Sequence, residues 1–301
     1  MTPGPQAATR AVMPGVLLAL AGTLTFSIKA IIVKLAYRHG VDPYTLIMLR
    51  MLFALPLFVA LAWWAGRGQP PLTARDWRVV GLLGFSGYYL ASFLDFWGLQ
   101  YVSAGLERLI LYLGPTLVLL LGRVLYQRRV ARGQLVALAV SYVGVLLVFG
   151  HELELGGPHT VLGTALVFGS TLSYALYLLF SGEEVKRLGA ARLTGLATSV
   201  ACLLCILQFV LLRPLDSALA VAPQVLWLSL LNATLCTFAP VLMVMMAIER
   251  VGAAVASQAG MIGPVSTIAM GVWILGEPLN AWIVAGTLLV LGGITLLARL
   301  R

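Results

Sequence analysis

The sequence is short of charge. Only 10% of its 301 residues are Asp, Glu, Lys or Arg, whereas 60% are hydrophobic, and the mean hydropathy is +0.98. Soluble domains contain roughly one charged residue in four and are about half apolar. The shortage of charge therefore excludes an ordinary soluble domain and indicates an integral membrane protein.

Cysteine and histidine are scarce, with three of each. The cysteines lie inside apolar stretches without metal-ligand spacing, and the histidines lie between such stretches. Neither H-E-x-x-H nor G-x-S-x-G occurs, so an intramembrane hydrolase lacks its metal ligands or its nucleophile. We expect no enzyme activity, no cofactor and no metal, and we expect the cysteines to be small packing residues. The residues concerned are Cys202, Cys205, Cys236, His39, His151 and His159.

Ten apolar stretches are long enough, at about 20 residues, to cross a hydrocarbon core of about 30 Å as helices. They cover residues 14–36, 44–64, 77–97, 101–121, 134–149, 161–180, 195–212, 224–246, 253–275 and 280–297. The first ten residues lead into a full-length span and not into a short signal sequence with a cleavage site, so we expect the first span to remain as an anchor.

The basic residues give the chain a net charge of +9, but they sit in short loops, where they orient membrane helices. This placement argues against nucleic acid as a partner. With the N-terminus in the cytoplasm, most Lys and Arg residues fall on the cytoplasmic side, and only Lys34, Arg38 and Arg213 fall outside. We expect a multi-pass protein of a bacterial inner membrane with both termini in the cytoplasm.

The two halves of the chain resemble each other. A shift of 148 residues places "GTLTFSIK" at 22–29 on "STLSYALY" at 170–177, and a shift of 149 places 112–126 on 261–275, with Pro115 on Pro264. Because each half has an odd number of spans, five, the second half enters the membrane from the opposite side and is inverted relative to the first. We therefore predict an all-α membrane protein in which two inverted five-helix repeats, 1–150 and 151–301, surround a central cavity. The boundary is placed at the expected loop "HELELGG", residues 151–157.

Ten spans, the duplication and the closing "GEPLNAWIVAGTLLVLGGITLL" at 276–297 resemble the EamA-type drug/metabolite transporter superfamily. General similarity, without a diagnostic motif, makes bacterial exporters of aromatic and other neutral amino acids the most similar group. The resemblance implies efflux of small metabolites through a cavity between the halves. Gly276, Glu277 and Gly293 are a family marker and not a known binding site. The first half departs from it, with "YQRRVARGQ" where the second has "LGEPLNAWI".

Five ionisable residues lie deep in predicted spans, all in the first half and in its periplasmic third. A charge at the bilayer centre costs about 2.5 to 3.5 kcal/mol even on insertion scales, so such residues are functional candidates. We expect Asp95 to pair with Arg50, and Glu107 with Lys29 or Arg50. Static ion pairs, a periplasmic gate and direct substrate contact all remain open. The five are Lys29, Arg50, Asp95, Glu107 and Arg108.

Deep aromatic and polar residues form a second group of candidates. They would make a mostly apolar pocket with a few polar groups, suited to a small amphipathic solute. The predicted lining is Phe26, Tyr88, Tyr89, Tyr112, Tyr174, Tyr177, Asn232, Ser257, Gln258 and Met261. Pro115 and Pro264 each remove a backbone hydrogen bond inside a span, which predicts a pair of hinges or a pair of static kinks.

These features predict a secondary transporter that exports aromatic and other neutral amino acids, or similar metabolites, by alternating access. A multidrug exporter of cations is the alternative. It is the weaker prediction because it would need an uncompensated carboxylate, whereas Lys29 is in the first span and the summed intramembrane charge is positive. A receptor or structural membrane protein is less consistent with the duplication. The expected partners are a small-molecule substrate and membrane lipid, and the chain is expected to act as a monomer.

Overall fold

A computed structural model describes residues 5–127, 130–156 and 158–300; the side chains of 5–12, 155–156, 183, 249 and 252–259 lie outside the description. Within these ranges nine helices are long and apolar enough to cross a membrane, and a tenth apolar helix is shorter. The ten are α1 Met13–Tyr37, α2 Pro43–Gly66, α3 Ala74–Gly98, α4 Ala104–Tyr126, α5 Arg132–Glu154, α6 Pro158–Gly182, α7 Ala190–Leu212, α8 Pro223–Ile248, α9 Ile262–Leu275 and α10 Ala281–Arg299. The predicted all-α membrane fold is confirmed.

Helix starts follow local sequence chemistry. The side chains of Asp42, Ser103 and Asn280 accept backbone N–H groups at the starts of α2, α4 and α10. Thr73 and Asp76 form a reciprocal capping box at the start of α3. These caps satisfy N–H groups that a helix start otherwise leaves without partners.

The helices pack with two-fold symmetry. The first helix of each repeat packs against the third and fourth helices of the other, so α1 lies on α8 and α9 while α6 lies on α3 and α4. The second helices, α2 and α7, pack on each other, as do the fifth helices, α5 and α10. Each of these pairings maps onto itself or onto another when the repeats are exchanged, as an inverted duplication requires. We call α1, α8 and α9 the α1 group, and α3, α4 and α6 the α6 group.

Irregular turns recur at matching places in the two repeats. The π-helical segments Phe85–Leu90 in α3 and Thr234–Phe238 in α8 begin 149 residues apart. In α4 the helix is interrupted at residues 112–113, and a new segment begins at Gly114. The chain also turns at Met261 before Ile262 opens α9. Pro115 and Pro264 thus lie just after breaks, where a missing N–H costs little.

One expected loop is helical. Residues 151–156 continue the fifth helix, whose full extent is Arg132–Gly156, and the next helix begins at Pro158. His151, Glu152 and Leu153 precede the first Gly of "HELELGG" and contain no helix breaker. The boundary drawn after residue 150 therefore falls inside this helix.

The bundle has two ends. Glycines in left-handed conformation make the turns after α1, at Gly40 with φ +74°, and before α7, at Gly189 with φ +80°. We name the ends after these residues. The Gly40 end carries the connections at 38–42, 99–103 and 276–280, and the Gly189 end carries the connection at 67–73.

Candidate functional site: a cavity closed at one end

A cavity of about 670 Å³ lies between the α1 group and the α6 group. It reaches from Lys29 and Asp95, near the Gly40 end, to Ala190 and Ile248, near the Gly189 end. Ala190 is exposed. The volume is within the usual range for small-molecule sites.

Three charges form a buried cluster at the inner end of the cavity. Lys29 Nζ lies 2.5 Å from Asp95 Oδ2 and 2.9 Å from Glu107 Oε1. The exposed fractions of these side chains are 6%, 4% and 0%. The expected pairing of Glu107 with Lys29 is present, but Asp95 also binds Lys29 and forms no ion pair with Arg50. The Lys29 ammonium is the shared ion-pair partner of the two carboxylates, whereas Arg50 has other contacts.

Arg50 and Arg108 contact no carboxylate as ion pairs among the described residues. Arg50 Nε donates to the Thr237 hydroxyl at 3.0 Å, and its guanidinium lies 4.9 Å from the Phe96 ring centre. Arg108 Nη2 donates to Ser27 Oγ at 3.2 Å. Both residues line the cavity. The inner end therefore holds two arginines whose guanidinium groups contact hydroxyl groups and aromatic rings in place of carboxylates.

Glu107 and Arg108 serve different neighbours, because adjacent residues on a helix point about 100° apart. Glu107 meets Lys29 on α1. Arg108 lies over the rings of Phe26 and Tyr112, at 5.0 and 5.4 Å from their centres. The two adjacent charges in "GLERLILYLGP", residues 105–115, therefore have different places: Glu107 belongs to the ion cluster and Arg108 to the cavity wall.

Aromatic side chains form much of the wall. The Tyr88 and Tyr177 hydroxyl groups lie 3.1 Å apart, and the Tyr177 ring stacks on Tyr174 with 5.5 Å between centres. Gly87, in the π-helical segment of α3, allows Tyr177 to approach the backbone. Five of the six predicted aromatic residues line the cavity: Phe26, Tyr88, Tyr112, Tyr174 and Tyr177.

Other predicted residues lie elsewhere. Tyr89, Asn232 and Met261 do not line this cavity. Tyr89 packs on Phe85, Asn232 is buried and its carbonyl accepts from the Thr237 hydroxyl, and Met261 packs in an apolar cluster near α10. The side chains of Ser257 and Gln258 lie outside the described residues.

Several hydroxyl groups of the cavity wall were missed by sequence reasoning. Ser170 lines the cavity and donates to the Ala91 carbonyl at 2.7 Å. Ser173, in the same stretch but outside the wall, donates to the Ser86 carbonyl at 2.7 Å. The π-helical segment of α3 frees backbone carbonyl groups, and these serines lie in the repeated "STLSYALY" stretch, so the repeat itself was the available signal. Further lining hydroxyl groups belong to Thr23, Thr171, Thr194, Thr198 and Thr237.

The family-marker residue Glu277 fastens the Gly40 end. Its Oε1 accepts the Ala104 N–H at 2.9 Å, at the start of α4, and lies 3.6 Å from Lys34 Nζ. A carboxylate is favoured at a helix N-terminus by the helix dipole. Gly276 makes the turn that brings Glu277 there, with φ +73°. This contact joins the α6 group to the segment that follows α9.

Further contacts close the same end. Tyr37, the last residue of α1, donates through its hydroxyl to the Phe96 carbonyl of α3 at 2.6 Å. Glu152 accepts the Ser103 N–H at 3.1 Å and also the Ser103 hydroxyl. Among the described residues no group of three or more His, Cys, Asp or Glu side chains is arranged to hold a metal ion.

Two inverted five-helix repeats around a cavity that is closed at one end are the architecture of a secondary transporter. The sequence model of the EamA-like transporter family matches residues 13–150 and again residues 161–299. The chain therefore belongs to the EamA-like transporter family, whose members are not enzymes.

The relatives are transporters without a stated substrate. The uncharacterized transporter YcbK of Bacillus subtilis is 29% identical over 91% of this chain and 89% of its own length. An uncharacterized transporter of Archaeoglobus fulgidus is 27% identical over 74% and 76%. A protein of known crystal structure matches 95% of this chain and 98% of its own chain, with a TM-score of 0.62 and 18% identity, which shows the fold alone.

Proposed function

We propose that this transporter exports small amphipathic metabolites, aromatic and other neutral amino acids among them, across a bacterial inner membrane. The observation that supports this most directly is the cavity of about 670 Å³, with aromatic walls, a few hydroxyl groups and a charged inner end. Its chemistry suits a solute with an apolar body and a polar head.

We infer from the distribution of charge that the Gly189 end faces the cytoplasm, together with both termini. Arg67, Arg75 and Arg78 flank the connection between α2 and α3, and Lys186 and Arg187 precede Gly189. Arg38 and Arg213 lie at the Gly40 end. The excess of Lys and Arg at the Gly189 end is typical of a cytoplasmic surface. In this orientation the cavity faces the cytoplasm, from which an exporter collects its substrate.

Alternating access would separate the α1 group from the α6 group at the Gly40 end. The first helix of each sequence repeat, 1–150 or 151–301, packs with helices of the other repeat. We therefore expect the α1 group and the α6 group, and not the repeats, to move as units. Lys29 on α1 meets Asp95 on α3 and Glu107 on α4, so the ion cluster bridges the two groups and would act as a gate. The breaks before Pro115 and Pro264 would act as hinges in one member of each group.

A cation exporter is supported less well by these contacts. It would need a carboxylate free to receive the substrate, whereas Asp95 and Glu107 both bind Lys29. The two cavity arginines would repel a cation further.

Proteoliposomes test the transport proposal. We expect the purified protein to move labelled phenylalanine, tryptophan and leucine down their gradients, and to move lysine little, because a second cation meets Arg50 and Arg108. Protein-free liposomes are the control. If a folded protein moves none of the neutral amino acids, this substrate class is wrong.

The aromatic wall gives a second prediction. Replacing Tyr174 by Ala should weaken transport of tryptophan about 3- to 10-fold and that of leucine less, because an aromatic pair contributes about 0.5 to 1.5 kcal/mol beyond its buried area. Concentration dependence of uptake measures the effect. Tyr89→Ala is the matched control, since Tyr89 lies on α3 but outside the wall. Equal losses in both variants would remove Tyr174 from the site.

The Glu277 contact gives a third prediction. Glu277→Ala removes a carboxylate at a helix start, worth about 1 kcal/mol, and should raise the fraction open at the Gly40 end about fivefold. A membrane-impermeant maleimide added from the periplasmic side would then label Leu111→Cys faster, in a background whose native cysteines are replaced by alanine. Glu154→Ala is the control at the same end, because that side chain is 81% exposed. Unchanged labelling in Glu277→Ala would mean that Glu277 does not hold the gate.

A further inference from the structure

We infer that Arg108 forms a carboxylate-binding subsite at the inner end of the cavity, so that an anionic head group, and not an ammonium group, is what a substrate must carry. This inference rests on the proposed export function and narrows its substrate class to amphipathic organic anions and zwitterions. The apolar body of the substrate would lie toward Phe26, Tyr112 and Tyr174.

The first support is the charge balance. Lys29 already binds two carboxylates, so its positive charge is neutralised before a substrate arrives. Arg50 and Arg108 bring the sum over the five intramembrane charges to +1, and neither has a carboxylate partner among the residues that the structure describes. Buried cations without an anion are costly. A substrate carboxylate would supply the missing negative charge.

The second support is the geometry of Arg108, which lines the cavity and is 4% exposed. Its Nη2 is held by Ser27, while its Nε is buried and has no hydrogen-bond partner among the described residues. The rings of Phe26 and Tyr112 lie against the guanidinium. The flat group is thus fixed in position with donors to spare. Arginine presents such donors as a fork that matches a carboxylate.

An ammonium group has a poorer site. Asp95 Oδ1 and Glu107 Oε2 lack hydrogen-bond partners among the described residues, but the other oxygen of each carboxylate already binds Lys29. Glu107 does not line the cavity, and Lys29 already neutralises part of the charge of each carboxylate. We therefore expect that the carboxylate of an amino acid is required for binding and that its amino group is dispensable.

Four ligands with one phenyl ring separate these contributions: phenylalanine, 3-phenylpropionate, phenethylamine and 3-phenylpropanamide. Equilibrium dialysis of each radiolabelled compound against the purified protein in detergent measures binding. We expect phenylalanine and 3-phenylpropionate to bind at least about tenfold more tightly than the amine and the amide, since a charge-assisted bidentate contact is lost in the latter two. Amine binding as tight as acid binding would overturn the inference.

Variants assign the effect to Arg108. Arg108→Gln should weaken 3-phenylpropionate binding at least about tenfold and leave binding of the neutral 3-phenylpropanamide unchanged, while Arg108→Lys should recover part of the loss. Arg123→Gln, an exposed position on the same helix, should bind like the parent protein. If Arg108→Gln fails to fold, the four-ligand comparison on the parent protein still tests whether binding requires a carboxylate. If Arg108→Gln folds and keeps acid binding, the subsite is not at Arg108.

The two proposals fail in different ways. Anion-selective binding without transport of any panel member would contradict export and leave the subsite standing. Transport that does not depend on a carboxylate would contradict the subsite and leave export standing.

Discussion

Replacing Lys29 by Met should lower the free energy of unfolding by about 3 to 5 kcal/mol. The change leaves Asp95 and Glu107 as two buried carboxylates without their shared cation, and loss of one partner of a buried ion pair has about this cost. Denaturant or thermal unfolding of the purified protein in detergent, followed by fluorescence, measures the difference.

A triple variant without the three charges tests whether the lost stability comes from the unpaired carboxylates or from replacement of the Lys29 side chain itself. In the variant Lys29→Met, Asp95→Asn, Glu107→Gln no buried charge of the cluster remains, and we expect most of the lost stability to return. Lys34→Met is the single-residue control, because Lys34 lies 3.6 Å from Glu277 and its side chain is 22% exposed. Wild-type stability in the Lys29→Met variant, or no recovery in the triple variant, would contradict the proposed energetics.

Replacing Gly87 by Ala is the second change with a large expected effect. A Cβ atom at Gly87 would lie 2.8 Å from the Tyr177 Cβ atom and closer to the Tyr177 ring, so α3 and α6 would have to move apart. Overpacking of this kind costs about 1 to 3 kcal/mol. We expect lower stability and, because Tyr177 would shift into the cavity, slower transport of phenylalanine.

Gly81 provides the matched control on the same helix. A Cβ atom at Gly81 meets nothing within 4 Å, and alanine is the better helix former by about 1 kcal/mol. Gly81→Ala should therefore transport normally and be at least as stable as the parent protein. Equal behaviour of the two variants in unfolding and uptake would show that the contact between Gly87 and Tyr177 tolerates a methyl group.

The fold was largely predictable because hydrophobic length is a strong signal. Ten apolar stretches and a repeat at a shift of 148 to 149 residues required ten helices in two inverted repeats. The exchange of α1 and α6 between the repeats was not predictable, since both helices are apolar on most of their faces. Helix ends were also displaced: polar residues such as Glu152 continue a helix beyond the hydrophobic stretch, because they are good helix formers.

The site was predictable in its residue types and less so in its pairings. Five buried charges need partners, but the sequence does not show that Lys29 binds both carboxylates, because this depends on where Lys29 of α1 meets Asp95 of α3 and Glu107 of α4. Asn232 was predicted as a lining residue because it is polar, yet it is buried outside the cavity wall and its carbonyl accepts from the Thr237 hydroxyl. Glu277 was recognised only as a family marker, since its contact with Ala104 spans the two repeats.

As the proposed gate, the Lys29 cluster would also make the two orientations of the carrier unequal in energy. Opening the Gly40 end would draw one cation away from two anions, and entering water would then have to replace direct contacts. At the Gly189 end the described ion pairs of Arg187 with Asp76 and Glu184 join α3 to the continuation of α6. They do not connect the two groups, so among the described residues opening this end carries no comparable penalty. The empty protein should therefore rest with its cavity toward the Gly189 end. Bound substrate must recover the difference before the other side can open, which couples export to occupancy and limits futile cycling.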